Sequence, residues 1–115
     1  MKANLIDNIE KLIKGTISGK IIWTKPSDNV FVWQTTSSDK SRLNVILQVY
    51  RMSGNQVLDI TFRLFELETK SSLIDIKTED TSKEIKSKVF ELFQTIKDNF
   101  NTGRVDILRD LLKDI

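Results

Sequence analysis

The chain has 115 residues, 39% hydrophobic and 30% charged, a balance that fits one folded domain spanning residues 1–115 and argues against global disorder. It contains no cysteine and no histidine, which excludes disulfides, thiolate or imidazole metal sites, and any Ser-His-Asp triad. The formal charge is only +2 and the basic residues are scattered, unlike the basic stripe of a duplex DNA binder.

Leu5, Ile6, Ile9, Leu12 and Ile13 recur at helical spacing and predict an amphipathic first helix. Asn4 is its expected N-cap and Gly15 its expected stop. No signal-peptide core precedes it and no apolar run reaches membrane-spanning length, so a cytoplasmic protein is expected. Lys20 to Thr24 is β-branched and aromatic and predicts a strand. The turn after it spans Lys25 to Asn29 and holds the only proline, Pro26. Val30 to Thr35, with Phe31, Val32 and Trp33, predicts a second strand. The polar stretch Thr36 to Ser41 predicts an exposed loop.

Leu43 to Leu67 reads as one long β-hairpin turning at Gly54-Asn55. A two-residue turn there sets Met52 opposite Val57, Val49 opposite Ile60, Leu47 opposite Phe62 and Val45 opposite Leu64. The other face then pairs Ile46 with Arg63, Gln48 with Thr61 and Tyr50 with Asp59. The sheet so built has one dry face and one mixed face. Leu73 to Lys77 alternates and is the candidate fifth strand.

Thr81 and Glu84 form a capping-box pattern that opens the next helix. Ile85, Val89, Leu92, Phe93, Ile96 and Phe100 give it an apolar stripe. Asn101-Thr102-Gly103 interrupts the stripe, and Arg104 to Ile115 predicts a separate last helix. Its apolar arc holds Val105, Ile107, Leu108, Leu111, Leu112 and Ile115. The expected fold is therefore α+β. It comprises an N-terminal helix, an antiparallel meander of four strands (five with Leu73–Lys77) and two C-terminal helices packed on one sheet face.

No catalytic motif emerges. The four glycines are scattered, with no GxGxxG or Walker spacing. The acidic residues Glu66, Glu68, Asp75, Glu79, Asp80 and Glu84 read as a solvated hairpin end and a helix cap. Asp106, Asp110 and Asp114 lie beside Arg109 and Lys113 and read as a solvated helix face. No catalytic residue, metal ligand or cofactor is expected.

The aromatic residues carry the functional reading. Large aromatics and arginine are common interface anchors, so the expected partner-binding residues are Trp33, Ile46, Tyr50 and Arg63 on the mixed face, with the Thr36–Ser41 loop beside them. Alternatively, Trp33, Tyr50 and Phe65 stack the bases of a single strand while Arg63 and Arg42 meet phosphate. A small-ligand carrier is a further alternative. A competing placement of Trp23 and Trp33 closes the core where the first hairpin meets the first helix.

The segments Gly19-Lys20-Ile21-Ile22-Trp23 and Ser27-Asp28-Asn29-Val30-Phe31 follow a leading amphipathic helix. They precede a strand meander, a helix with Leu92-Phe93 and a short terminal helix from Asp106 to Leu112. In this outline the chain resembles a loosely defined group of small uncharacterised bacterial α+β proteins, a resemblance that implies an architecture and no activity. The sequence thus predicts a non-enzymatic protein–protein interaction module of regulatory, accessory or inhibitor type. Its expected partner is another protein or a second copy, with no membrane, and nucleic acid is the less favoured alternative.

Overall fold

In the computed structural model the backbone is described for residues 2–112 and the side chains for residues 4–100 and Leu112. Helix α1 covers Lys2–Ile17, followed by strands β1 Thr24–Ser27, β2 Val30–Thr36, β3 Arg42–Ser53, β4 Gln56–Glu66 and β5 Ser71–Lys77. A 3₁₀ turn at Thr78–Asp80 leads into α2, Lys83–Leu112. The five strands form one antiparallel sheet in the order β1-β2-β3-β4-β5. The fold is α+β, and Leu73 to Lys77 belongs to a fifth strand.

The Gly54-Asn55 hairpin keeps the expected register at Met52↔Val57, Val49↔Ile60, Leu47↔Phe62 and Val45↔Leu64. Gly54 adopts φ +58°, the left-handed conformation such a turn requires. The dry face extends outward from there through Phe31↔Leu47, Phe62↔Ile76 and Leu64↔Ile74. Against it lie Ile9 and Ile13 of α1 and Ile85, Val89, Leu92, Phe93 and Ile96 of α2, all buried in one cluster. Phe31 makes edge contacts with Phe93 and Phe100 at centroid distances of 5.8 and 5.7 Å, tying β2 to α2.

Several expectations need correction. Asn101-Thr102-Gly103 does not break the helix: α2 runs through to Leu112, so one C-terminal helix replaces the expected two. A single helical glycine costs only about 1 kcal/mol, a penalty rather than a stop. The side chains of the expected last-helix arc lie outside those described, except Leu112. That residue is exposed.

Helix α1 ends two residues beyond Gly15, at Ile17. The true stop is Gly19, at φ +79°. Gly19 N–H donates to Thr16 O (3.2 Å) and Lys20 N–H to Gly15 O (3.0 Å), the paired bonds of a Schellman cap. Gly15 is needed for close approach, since a Cβ there would sit 2.6 Å from Ile21 Cδ1. Lys20 to Trp23 forms no strand. Ile21 N–H bonds Gly15 O at 3.0 Å and Trp23 Nε1–H donates to Thr16 Oγ1 at 2.9 Å, so the segment wraps the helix end.

Strand β1 starts only at Thr24 and includes Pro26, which an edge position tolerates. The cap of α2 is Ser82, whose Oγ accepts from Ile85 N–H at 3.3 Å, one residue later than expected at Thr81. Among the described residues, no helix is long and apolar enough to cross a membrane.

Candidate functional site

The face of the sheet turned away from the helices is built by strand alternation. One row across it runs Val32↔Ile46↔Arg63↔Asp75, flanked by Gln34↔Asn44↔Phe65↔Ser72 and by Val30↔Gln48↔Thr61↔Lys77. Both helices contribute their apolar faces to the opposite side. Val32, Ile46, Arg63 and Phe65 are half-buried by their neighbours alone. The ladder slips between Leu64 and Phe65, which leaves Leu73 outside the pairing and 53% exposed.

Arg63 Nη2 pairs with Asp75 Oδ2 at 3.4 Å across the strands. Both side chains are more than a third exposed, so the pair contributes little to stability and remains available to a partner. Asn44 Oδ1 and Arg63 Nε lie low between the strands without a hydrogen-bond partner among the described residues. The result is a patch of apolar side chains interleaved with one arginine and amide groups.

The four expected contact residues do not form one constellation. Ile46 and Arg63 lie directly opposite each other. Trp33 is displaced to the other side: it pairs with Val45, packs against the core and meets Trp23 at 6.4 Å between ring centroids. The competing placement at the core therefore holds. Trp23 is buried and Trp33 half-buried beside it.

Tyr50 does not face Asp59. The pairing steps from Val49↔Ile60 to Arg51↔Asp59, so Tyr50 is the extra residue of a bulge, and a compensating slip before Met52↔Val57 skips Leu58. The Tyr50 hydroxyl reaches the Glu79 carboxylate. Burial raises its pKa, and the bond to Glu79 together with the Glu79 and Asp59 charges raises it further.

Asp59, fully buried, anchors this end of the sheet. Its Oδ1 accepts from Thr78 Oγ1–H at 2.8 Å and lies 4.0 Å from Lys86 Nζ, while Oδ2 meets Arg51 Nη2 at 2.7 Å. Thr78 Oγ1 in turn accepts from Ile60 N–H at 3.0 Å. The cluster links β3, β4, the 3₁₀ turn and α2, and each of its bonds is internal.

The Thr36–Ser41 loop is likewise self-contained. The Asp39 carboxylate accepts from the Ser37 hydroxyl and from Ser41 N–H, and the first of these bonds is the main reason its pKa is lowered. Among the described residues, no group of three or more carboxylates is gathered as a metal site.

The sequence reading missed Val32 and Asp75 as members of the helix-free face. The alternation of Val30 and Val32 was visible. Assigning its side, however, required the β2–β3 register, which no tight turn sets. Protein-family descriptions, curated proteins and solved structures give no match to this chain.

Proposed function

We propose that the chain is a non-enzymatic protein-binding module, cytoplasmic and acting as one domain, which docks a partner protein on its helix-free sheet face. One observation carries this reading: Val32 and Ile46 share one row with the Arg63–Asp75 pair, and Phe65 lies beside it, an apolar patch on the side opposite the helices. An interface core of aliphatic and aromatic side chains around an arginine is the usual composition of a protein contact. Ile46 and Arg63 are the proposed centre, with Phe65 replacing Trp33. Tyr50 belongs to the edge of the surface through Glu79.

Base stacking has less support, because Trp33 packs on the core side and Tyr50 is engaged by an acidic residue. The test is capture from an extract of the source cells with wild-type, Ile46→Lys and Phe65→Ser baits of equal thermal stability. The reading expects a protein retained by wild type and lost with both variants. A partner held equally by all three baits would refute the face. Oligonucleotide retention that vanishes between about 50 and 200 mM salt would favour nucleic acid instead.

A further inference from the structure

The two edges of the sheet are unequal. Strand β1 is four residues long, irregularly paired and contains Pro26, features that blunt an edge. Strand β5 is seven residues long, and beside its second half lies an open depression of about 400 Å³ lined by Asp75, Ile76, Lys77, Asp80 and Thr81.

The direction of the free backbone groups on β5 follows from the hydrogen-bond phase of the sheet. Val49 N–H donates to Asn29 O at 2.8 Å, toward β2, and Leu67 N–H donates to Arg42 O at 3.0 Å. Bonding direction alternates along an antiparallel strand. Thr61, Arg63 and Phe65 therefore bond β3, and Ile60, Phe62 and Leu64 bond toward β5. The bond from Ile60 N–H to Thr78 Oγ1 agrees with this phase. Phe62 pairs with Ile76 and Leu64 with Ile74, so Ile74 and Ile76 point their N–H and C=O groups inward. Those of Asp75 and Lys77 point out of the sheet.

An added antiparallel strand must bond these outward groups. For a second copy of β5, that condition leaves few registers. Asp75 opposite Asp75, or Lys77 opposite Lys77, sets like charges side by side, which is destabilising. Leu73 opposite Asp75 uses the slipped part of the strand. Only Asp75 opposite Lys77 joins opposite charges, and by symmetry it does so twice while Ile76 meets its own copy.

We propose that two copies of this chain join edge to edge through β5, antiparallel about a twofold axis at Ile76, with Asp75 of each opposite the partner's Lys77. The contact joins the two sheets edge to edge and shares Asp75 with the docking face proposed above, whereas Ile46 and Phe65, whose replacement tests that face, lie on β3 and β4.

The test combines sedimentation with amide exchange on the full chain. The proposal expects a dimer in which the Asp75 and Lys77 amides slow with rising concentration. The Ile74 and Ile76 amides are already protected in the monomer. Lys77→Glu alone and Asp75→Lys alone each set like charges together and are expected to raise the dimer Kd roughly tenfold or more. Mixing the two variants restores opposite charges at both pairs and is expected to yield a heterodimer. A chain that stays monomeric at millimolar concentration overturns the proposal. So does a dimer whose Asp75 and Lys77 amides exchange as fast as in the monomer, or a mixture of folded variants that fails to associate.

Discussion

Replacing Asp59 separates the two interactions of a buried carboxylate. Its side chain is 1% exposed, whereas those of its cationic neighbours Arg51 and Lys86 are 57% and 45% exposed. Removing a buried charge is most harmful when its partner is stranded, but here both cations can return to water. Asp59→Asn keeps an oxygen for the Thr78 hydroxyl but loses the ion pairs and turns an amide nitrogen toward Arg51, whose exposed guanidinium can move away. We expect a cost of about 1–2 kcal/mol, below the 3–5 kcal/mol typical of stranded pairs. Asp59→Ala also deprives the Thr78 hydroxyl, itself 1% exposed, of its acceptor. An orphaned buried donor costs about 1–3 kcal/mol more, for a total of about 2–5 kcal/mol. Urea unfolding of both variants, with Thr78→Val alone and combined with Asp59→Ala, measures the difference. The combined variant should cost less than the sum of its parts, by about 1 kcal/mol or more. If Asn is as damaging as Ala, the oxygen kept for Thr78 contributes nothing and the reasoning is wrong.

Three further outcomes are expected. Phe62→Ala, in the middle of the dry face and 4% exposed, should cost about 3–5 kcal/mol in the same assay; a loss below about 1 kcal/mol would remove it from the core. Tyr50 is the only tyrosine, so phenolate absorbance reads it alone. Its midpoint should lie above the ordinary value of 10.0 and fall in Glu79→Gln; because the folded pKa is raised, stability is full below pH 10.0 and declines as pH rises through the folded midpoint. Hydrogen bonds from Lys88, Arg42 and Ser37 hold the Glu10, Glu68 and Asp39 carboxyls below their ordinary values. The unfolded chain therefore binds more protons in acid, and stability should be lost as pH falls below about 4.5, with a shallower slope in Lys88→Ala; a profile flat from pH 6 to pH 3 would contradict these assignments.

The long hairpin was legible because two local signals, a Gly-Asn turn and period-two hydrophobicity, select the same register. The bulge at Tyr50 was not, because its cause is remote. Asp59 is drawn to Thr78 and Lys86, which lie in other elements. Gly15 was read as the helix stop, but the cap is Gly19, and Gly15 instead serves the close approach of Ile21, a contact that no local pattern announces. Trp33 shows the same limit: its strand was evident, but its side of the sheet depended on a pairing across a loop without a turn signature. Ile46 and Arg63 were found because the hairpin alone places them. Val32 and Asp75 required the neighbouring strands.

The sheet order also sets the order in which the chain can assemble. Every strand pairs with its neighbour in sequence, so each ladder closes a short loop and can form early. Docking of α1 on α2 is different: the Lys88–Glu10 contact spans 78 residues. Loop-closure entropy delays such a contact until the intervening meander has shortened the path. Helix α1 should therefore add last and open first, with its amides exchanging through partial unfolding while those of β3 and β4 exchange only when the whole protein unfolds.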